Sequence, residues 1–529
     1  MLNHFIENFF TPGKPYFLIR NLEVLPVVKL KLFKLFLAHS STRIRTAEYM
    51  IANSTDTCRP LGVDLDGTLL ATDALWESLL IFIKTKPHCV LSLPFWLFKG
   101  KAYFKRQLAL HVKLNPASLP YRENVLAFLK KERAAGRGII LATAADDYVA
   151  RSVADHLGIF TEVFASDGET NLSGAQKLAA LKKYSGDGGF DYIGDAGVDL
   201  PLWQAAHRAY LVEPSAPLLN KARRVATVGG VFSEKKNYLL SFIAALRVYQ
   251  WVKNILLFVP LLMAHKVLEI DRGLQAVYAF IAFSLCASCV YILNDLLDLE
   301  ADRLHPHKRR RPFAAGTLPI AAGVLAAPIL LAGSFIIAAM LLPLQFSILL
   351  GLYFVLTTAY SFHLKRMLIV DVLVLAGLYS LRVLAGGVAT GVSISPWLLA
   401  FSMFFFLNLA FVKRYSELHL MQERRQSKSN GRGYEVGDLE MSRSIGPVSG
   451  YLSVLVLALY INSREVVALY SNPAVLWLIG PFLLYWITRI WFLAHRGQMT
   501  DDPIVFTAKD PASYVIGVIV AVIMLMAWF

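Results

Sequence analysis

The sequence predicts a two-domain protein, with an N-terminal α/β domain followed by an all-α membrane bundle of about nine transmembrane helices. The chain has 529 residues, of which 56% are hydrophobic and 17% charged, so it exceeds one domain and is too apolar for a soluble protein. Short apolar runs alternate with helical stretches up to residue 224, whereas long apolar segments dominate from residue 238 to the end. We predict a linker over 225–237, because it contains Gly229, Gly230, Lys235 and Lys236.

The charge and the cysteines exclude several function classes. The net charge of +15 does not indicate nucleic-acid binding in so apolar a chain, because Lys and Arg also collect in cytoplasmic loops and at anionic membrane surfaces. Four cysteines (Cys58, Cys89, Cys286 and Cys289) indicate no disulfide framework. Cys286 and Cys289 have CxxC spacing inside an apolar run, so we expect them to pack rather than to hold a metal.

Residues 1–57 form a basic leader whose structure the pattern leaves open. Three lysines interrupt the apolar run 27–37, which excludes a spanning helix and argues against a signal peptide. The segment could lie on a membrane surface, could be a disordered leader, or could be untranslated if synthesis begins at Met50.

Between residues 58 and 224 we predict a parallel sheet with crossover helices. Short apolar runs alternate there with helical stretches, and the runs are 61–65, 138–142, 162–165, 190–193 and 209–212. The first run ends in DLDGTLL, so Asp64 and Asp66 would lie at the carboxyl end of a strand, where open α/β sheets bind their ligands.

Four motifs of this domain resemble those of the haloacid dehalogenase (HAD) superfamily, in the expected order: DLDGTLL, IILATAADD, Lys177 and GDAGVD. The resemblance implies a phosphatase in which Asp64 is the nucleophile that forms an aspartyl-phosphate, and Asp66 is the general acid and base. It implies that Thr143 and Lys177 hold the phosphate. It also implies one Mg²⁺ ion bound by Asp64, Asp66 and Asp195, with Asp199 in support at the substrate site. The alternative is a degenerate fold kept as a scaffold.

An insertion at about 73–131 is long enough for a helical cap. It contains the apolar stretch 89–98, which is too short to span a bilayer and is flanked by Lys84, Lys86, Lys99 and Lys101. This stretch either forms the buried core of the cap or rests on the membrane or a lipid tail.

The C-terminal half, 238–529, contains the segments that we predict to span the membrane. Their predicted bounds are 239–262, 275–297, 320–341, 344–361, 369–390, 396–413, 446–462, 473–492 and 512–529. If the chain starts inside, the cytoplasmic segments, counted with the adjoining span ends as 298–319, 362–368, 413–445 and 489–511, carry 17 Lys and Arg, and the outer loops 263–274, 342–343, 391–395 and 463–472 carry 3. The positive-inside rule therefore predicts a multi-pass protein of the cytoplasmic (inner) membrane, with the α/β domain and the charged motifs in the cytoplasm.

A polar stretch, 294–316, begins at the cytoplasmic end of the second span and reads NDLLDLEADRLHPHKRRRPFAAG. Asn294, Asp298 and Asp302 are four residues apart and would share one helical face, where oxygen ligands suit Mg²⁺. The basic run 308–311 could hold phosphate charge, although by itself it could equally be a positive-inside loop. Because carboxylates at a membrane edge are costly, the acidic row and the basic run together predict a metal–diphosphate site.

The nine spans and the NxxxDxxxD pattern resemble the UbiA-type prenyltransferase superfamily, whose members bind a diphosphate through Mg²⁺ at two acidic motifs. The second motif of most members is DxxxD. In this chain the corresponding stretch is YSFHLKRMLIVDVLVLAG, which offers Asp371 but has Leu375 four residues later. That departure argues against ordinary prenyl transfer from a prenyl diphosphate.

The membrane half is more similar to the branch of this superfamily that includes decaprenyl-phosphate phosphoribosyltransferase. The agreement lies in LRVYQWVKN, in the 294–316 string, and in YSFHLK, LRVLAGGVAT, VKRYSEL and TDDPIVF. The resemblance implies that a polyprenyl phosphate accepts 5-phosphoribose from phosphoribosyl diphosphate, with diphosphate as the leaving group.

This resemblance also assigns roles to residues. Asn294, Asp298 and Asp302 would hold at least one Mg²⁺, with Asp295 beside them. Lys308 and Arg311 would grip diphosphate, Lys365 would hold the acceptor or the 5-phosphate, and Asp371 would complete the metal site or orient Lys365. Arg382 lies inside the fifth predicted span, where a cation needs an anionic partner. The remaining substrate-binding candidates are Lys253, Asn254 and Tyr360, with Arg247, Lys413 and Arg414 as weaker ones.

Together the two halves predict a bifunctional enzyme. The membrane half would make a lipid-linked 5-phosphoribose, and the HAD domain would remove its 5-phosphate to supply a precursor for glycan synthesis. The expected partners are the lipid phosphate, phosphoribosyl diphosphate and the bilayer, and a homo-oligomer stays open. One alternative is UbiA-type prenyl transfer to an aromatic or other acceptor beside an unrelated phosphatase. Another is a membrane half that only anchors a soluble phosphatase.

Overall fold

The computed structural model describes residues 59–234, 237–423, 433–499, 502–507 and 509–529. The predicted leader 1–57, and Lys235 and Lys236 of the predicted linker, lie outside the described residues. The chain divides into two compact units. The first contains the described residues of 1–64, 124–140 and 173–235, and the second contains those of 65–123, 141–172 and 236–529.

Six short strands confirm the predicted α/β sheet. They are β1 (Leu61–Val63), β2 (Ile139–Asp146), β3 (Glu162–Ser166), β4 (Asp191–Gly194), β5 (Ala209–Val212) and β6 (Val228–Phe232). Their order in the sheet is β3-β2-β1-β4-β5-β6, and β1, β4, β5 and β6 pair in parallel. β1, β4 and β5 are buried along their whole length, as parallel strands covered on both faces should be.

Strand β6 corrects the predicted linker, because it lies within 225–237. It pairs with β5, and Phe232 lies opposite Val212. The glycine pair is one reason why the sequence predicts a linker, but packing explains Gly229: a Cβ at this position would lie 3.0 Å from the Tyr210 ring. The soluble fold therefore continues past residue 224 to the end of β6.

Eight helices accompany the strands. They are α1 (Ala74–Thr85), α2 (Leu93–Phe98), α3 (Lys101–His111), α4 (Glu123–Ala134), α5 (Asp147–Leu157), α6 (Ala175–Ser185), α7 (Leu200–Ala205) and α8 (Ala216–Val225). The predicted cap contains α1–α3 and most of α4. Helix α1 begins where it does because Asp73 accepts hydrogen bonds from the backbone N–H groups of Leu75 and Trp76.

The apolar stretch 89–98 has one face on the cap and another exposed. Cys89, Leu93 and Trp96 pack against a cluster formed by Phe82, Phe104, Leu108 and Val112. By contrast Leu91, Phe95 and Phe98 are 82%, 71% and 90% exposed. A buried cap core therefore accounts for one side of this stretch, whereas Leu91, Phe95 and Phe98 on the other side stay largely exposed.

Among the described residues, nine helical stretches are long and apolar enough to cross a membrane, as predicted. The helices described from residue 238 onward are α9 (Tyr238–Leu246), α10 (Val259–Met263), α11 (Ile270–Leu297), α12 (Leu299–Leu304), α13 (Ile320–Leu341), α14 (Leu344–Phe362), α15 (Val370–Thr390), α16 (Pro396–Glu423), α17 (Leu439–Ile461), α18 (Arg464–Leu469), α19 (Ile479–His495), α20 (Pro503–Thr507) and α21 (Pro511–Trp528). The short helices α12, α18 and α20 lie outside the nine stretches. Of the spans, those containing α11 and α15 are the most buried. Both carry candidate site residues.

The first span is broken, although the sequence predicts one continuous segment. Helix α9 ends where Arg247 adopts a left-handed conformation (φ 52°), and the chain continues as a 3₁₀ helix over Val248–Phe258 before α10. The backbone of Leu257 lies so close to α15 that any Cβ on Gly386 would collide with the Leu257 carbonyl. This glycine belongs to the LRVLAGGVAT string, so its presence there has a packing reason.

Candidate active sites

In the first unit, the side chains predicted to act on a phosphate come together at the ends of β1 and β4. Lys177 is buried, and its ammonium lies 2.9 Å from Oδ2 of Asp64 and 3.9 Å from Oδ1 of Asp199. Lys177 also donates to the hydroxyl of Tyr192 (3.0 Å), which in turn donates to Asp199 (3.1 Å). This network fixes the lysine beside the predicted nucleophile.

Three carboxylates of this site fit a divalent cation. Asp64, Asp195 and Asp199 present oxygens that all lie within 4.8 Å of one another. Burial, followed by the negative charge of Asp64, raises the pKa of Asp199 to about 6, so a nearby cation would stabilise its ionised form. Hard oxygen donors in such a group suit Mg²⁺. A Cβ on Gly194 would lie 2.5 Å from Oδ2 of Asp199, which explains the glycine of GDAGVD.

Asp66 and Thr143 belong to the second unit. Asp66 accepts a hydrogen bond from the N–H of Ala74 (2.7 Å), so its carboxylate is tied to the first residue of α1. The next residue, Gly67, has φ 71° and forms the turn after the strand. Thr143 is fully buried in β2, and its hydroxyl accepts from the N–H of Ala145 (3.0 Å).

Asp66 lines a cavity of ≈ 90 Å³ together with two charged residues that the sequence reasoning missed, Lys105 and Asp146. Lys105 donates to the carbonyl of Ala144 (2.6 Å) and to Asn171 (3.0 Å). Asp146 was visible only as part of IILATAADD, and Lys105 carried no signal because it is one of several lysines in the cap region.

In the membrane half, the acidic row does not lie on one continuous helix. Helix α11 ends at Leu297, Asp298 adopts a non-helical conformation (φ −107°), and α12 then carries Asp302. Backbone hydrogen bonds still join the three residues at this spacing: the Asp298 N–H donates to the Asn294 carbonyl (3.0 Å), and the Asp302 N–H donates to the Asp298 carbonyl (2.8 Å). Asn294 is partly buried at the last turn of α11.

Two acids of this motif share one arginine. Arg311 Nη1 lies 2.6 Å from Asp302 and 3.1 Å from Asp295, and both carboxylates are buried. Arg247, at the break in the first span, also pairs with Asp295. The basic run thus contributes Arg311 to the acidic motif as an ion-pair partner, whereas Lys308 lies exposed in a 3₁₀ turn. The predicted diphosphate-binding role of both side chains stays a prediction.

Asp298 is surrounded by lysines. The Lys84 ammonium lies 2.9 Å from its Oδ1, and the Lys365 ammonium lies 3.9 Å from its Oδ2. Burial alone would raise the pKa of Asp298, but Lys84 and then Lys365 outweigh it and hold the pKa below its usual value. Asp298 is therefore ionised at neutral pH, as a metal ligand must be.

Asp371 lies in a separate group of charges at the start of α15. It pairs with Arg414 of α16 and accepts a hydrogen bond from the hydroxyl of Tyr360 (2.6 Å). Arg414 also pairs with Glu417. The contacts of Asp371 are thus with an arginine and a tyrosine, and Arg414, one of the weaker candidates, is its charge partner.

Arg382 is buried in α15 and is held by neutral groups. It donates to Asn254 Oδ1 (2.9 Å), to the Leu378 carbonyl (2.6 Å) and to the Tyr353 hydroxyl (3.0 Å). Its guanidinium also lies over the rings of Phe283, Tyr353 and Tyr379. We expected an anionic partner for this cation, but the described residues provide no carboxylate for it.

Lys253 and Lys413 bind the same carboxylate. Each ammonium lies 3.0 Å from Oδ2 of Asp502, which precedes α20. Burial alone would raise the pKa of Asp502, but Lys413 and Lys253 outweigh it and hold the pKa well below its usual value. Asp502 belongs to the TDDPIVF string, a signal that the sequence reasoning noted without assigning a role.

The sequence reasoning also missed a buried ion pair between Glu77 of α1 and Arg303 of α12. Arg303 Nη1 and Nη2 lie 3.2 and 2.5 Å from the two Glu77 oxygens. The available signal was weak, since Arg303 simply follows the acidic row and Glu77 is a single acid in an apolar helix.

Comparisons with known families match both halves. Residues 255–509 match the UbiA prenyltransferase family, and residues 61–204 match the haloacid dehalogenase-like hydrolases.

Three relatives extend this similarity. The chain is 39% identical to a Sinorhizobium fredii protein, the uncharacterised y4nM, over 88% of this chain and 91% of the relative. It is 33% identical to the nodulation protein NoeC of Azorhizobium caulinodans, over 54% of this chain and 94% of NoeC. It is 38% identical to the decaprenyl-phosphate phosphoribosyltransferase of Mycobacterium tuberculosis, over 35% of this chain and 63% of that enzyme.

Proposed function

The chain belongs to the UbiA prenyltransferase family and carries a haloacid dehalogenase-like hydrolase domain, and we propose that it is a bifunctional enzyme of lipid-linked sugar synthesis. Its membrane half would transfer 5-phosphoribose from phosphoribosyl diphosphate to a polyprenyl phosphate. Its HAD domain would then remove the 5-phosphate. The observation that carries this proposal is the 38% identity to a decaprenyl-phosphate phosphoribosyltransferase.

The membrane site would work by positioning and by stabilising an anion. An oxygen of the lipid phosphate forms a bond to C1 of the ribose while the bond from C1 to the diphosphate oxygen breaks, and diphosphate leaves with the electron pair. Asn294, Asp298 and Asp302 would hold Mg²⁺, which neutralises charge on the leaving group. Lys308, Lys365 and Arg311 supply fixed positive charge for the same purpose.

Two further groups of cationic side chains could bind the lipid phosphate and the ribose 5-phosphate. Arg382 offers a buried cation held only by neutral groups, and Lys253 and Lys413 together exceed the charge of Asp502 by one. A lipid phosphate and a ribose 5-phosphate both require such cations. Asp371 would orient Tyr360 and Arg414 rather than bind metal, because it already contacts both.

In the HAD domain, an oxygen of Asp64 would attack the phosphorus of the 5-phosphate. The ribose oxygen leaves with a proton from Asp66, and water then hydrolyses the aspartyl-phosphate with Asp66 as the base. Lys177 holds a phosphoryl oxygen from its position 2.9 Å from Asp64. Mg²⁺ bound by Asp64 and Asp195 would supply charge neutralisation, and Asp199 fits as a further ligand.

The two reactions require their sites on one side of the membrane, and we propose that this side is the cytoplasm. The loops that this orientation places inside carry 17 Lys and Arg, against 3 outside.

In the decisive test, purified enzyme is incubated separately with two substrate pairs. One is radiolabelled phosphoribosyl diphosphate with polyprenyl phosphate, and the other is a prenyl diphosphate with an aromatic acid. We expect labelled lipid only with the first pair, and only with Mg²⁺ present. Product from the second pair alone would replace the proposal with ordinary prenyl transfer.

Replacing Asp64 with Asn should separate the two activities. Because Asn cannot form the aspartyl-phosphate, we expect phosphate release to fall by about 10³-fold or more while lipid phosphoribosylation is retained. Mass spectrometry of the lipid products should then show the 5-phosphate form accumulating. Asp187→Asn, at an exposed acid of the same domain, is the matched control. Unchanged phosphate release by Asp64→Asn from purified product would contradict the coupling of the two steps.

A further inference from the structure

The helix that follows the phosphatase motif packs on the acidic motif of the membrane half. All of these residues belong to the second unit. Leu80 of α1 is buried in a cluster with Ile292 and Leu296 of α11 and with Phe313 of the basic loop. A Cβ on Gly316, at the end of the 294–316 string, would lie 2.6 Å from the carbonyl oxygen of Ala71, so the two backbones touch.

A buried ion pair fixes α1 in this place. Glu77 is 3% exposed, and its two oxygens accept hydrogen bonds from both terminal nitrogens of Arg303. Arg303 also donates to the carbonyl of Ala314 (3.1 Å), and Glu77 accepts from the hydroxyl of Thr72 (2.8 Å). Because two nitrogens of Arg303 bind two oxygens of Glu77, and both side chains make further hydrogen bonds, this pair holds α1 in one position along the acidic motif.

In the last turn of α1, this packing brings a lysine to the acidic row. The Lys84 ammonium donates to the carbonyl of Leu297 (2.7 Å) and to Oδ1 of Asp298 (2.9 Å). An ammonium has three N–H donors, so these two bonds leave one for a further acceptor. The Lys84 side chain is 40% exposed and the Asp298 side chain 37%, so a ligand can reach both.

We propose that Lys84 is a diphosphate-binding residue of the membrane site, supplied by a helix of the soluble domain. This inference rests on the proposed function, in which Asp298 is a metal ligand for a diphosphate. A cation 2.9 Å from that ligand lies within hydrogen-bonding reach of an anion bound beside it. Lys365 approaches the other oxygen of Asp298, so the two lysines flank the same carboxylate. The transferase site is therefore incomplete without α1, and Glu77 and Arg303 act as positioning residues for Lys84.

The test measures binding of Mg²⁺-pyrophosphate to the full chain in nanodiscs by titration calorimetry. The variant Lys84→Met keeps the apolar stem of the side chain and removes the charge, Lys84→Arg keeps the charge, and Lys131→Met changes an exposed lysine of α4. We expect Lys84→Met to weaken pyrophosphate binding by about tenfold, the loss of one charge-assisted hydrogen bond. Lys84→Arg should recover most of the affinity, and Lys131→Met should bind like the unmodified protein.

Two kinetic readouts accompany the titration. The KM for phosphoribosyl diphosphate should rise in Lys84→Met while the KM for polyprenyl phosphate stays constant, and hydrolysis of p-nitrophenyl phosphate by the HAD site should be unchanged. Equal pyrophosphate affinity in Lys84→Met and the unmodified protein overturns the inference even if phosphoribosyl transfer is confirmed. If the enzyme uses a prenyl diphosphate instead, the proposed function fails, and a tenfold loss of pyrophosphate binding in Lys84→Met still supports the lysine's role.

Discussion

At the scale of single residues, the membrane half holds its buried arginines in two different ways. Arg414 pairs with Asp371 and Glu417, which compensates its charge. Arg382 is held by an amide, a hydroxyl, a carbonyl and aromatic rings, which orient its guanidinium without neutralising it. Burying a cation costs free energy unless an anion binds beside it, and no carboxylate of the described residues does so for Arg382. We therefore expect Arg382 to contact an anionic group of the substrate.

Replacing Arg382 with Gln should therefore impair catalysis more than folding. Gln keeps a polar side chain near Asn254 but removes the charge, so we expect kcat/KM of the transferase to fall by about 10²-fold. Steady-state kinetics with lipid substrate in nanodiscs measures this. The control is Arg272→Gln, an arginine that pairs with Glu269 and donates to the Thr390 carbonyl. Equal losses in both variants would show that Arg382 is only structural.

At the scale of elements, the apolar stretch 89–98 has one side packed on the cap and another side exposed. Trp96 and Leu93 pack on the cap, while Leu91, Phe95 and Phe98 project outward with high exposure. Lys99 and Lys101 follow directly, and basic side chains beside exposed aromatic residues favour an anionic lipid surface. We therefore expect this segment to rest on the bilayer.

A spin label at residue 98 can measure that contact. In a variant without Cys58 and Cys89, Phe98→Cys labelled in anionic nanodiscs should collide more with lipid-soluble oxygen than with an aqueous nickel chelate. The same label at Lys131 of α4 should show the reverse preference, since that side chain is exposed and surrounded by charged neighbours. A label at 98 that prefers the aqueous quencher would rule out docking and leave the stretch as cap surface.

At the scale of the whole molecule, the compact units do not follow the two family matches. The second unit joins residues 65–123 and 141–172 of the hydrolase-like region to all the described membrane helices. Within this unit, Leu80 and Trp76 of α1 pack in an apolar cluster with Ile292 and Phe313. Burying these apolar side chains stabilises the contact between α1 and the membrane helices by the apolar area removed from water, and the buried Glu77–Arg303 pair fixes its geometry.

Cutting the chain should therefore not release the soluble part. With a protease site inserted after Glu234, we expect both fragments to stay together in detergent through size-exclusion chromatography at high salt. A Glu77→Ala, Leu80→Ala double variant should let them separate, because it leaves Arg303 buried without its partner and opens a cavity. Separation of the fragments in the unmodified protein would show that only the covalent connection holds them.

The sequence by itself determined the two architectures and most of the chemistry. Strand–helix alternation indicated the parallel sheet, and nine apolar segments indicated the spans. The two are distinguishable because a strand buried on both faces is a short apolar run, whereas a helix that crosses a bilayer needs a long one. The strand-end position of Asp64 indicated a ligand site, because open α/β sheets bind ligands at the carboxyl ends of their strands. Asp195 and Lys177 were named through the resemblance of the four motifs to the HAD superfamily.

Only the tertiary structure decided which charges meet. The sequence pattern placed the acidic row on one helical face, but α11 ends at Leu297. In the structure, Asp302 pairs with Arg311, whereas Asp298 pairs with Lys84. Lys84 lies 214 residues from Asp298 in the chain, and Asp502 lies 249 residues from Lys253, so no local spacing could connect them. Such pairs depend on how helices pack, and packing is set by side chains distributed over the whole chain rather than by any one motif.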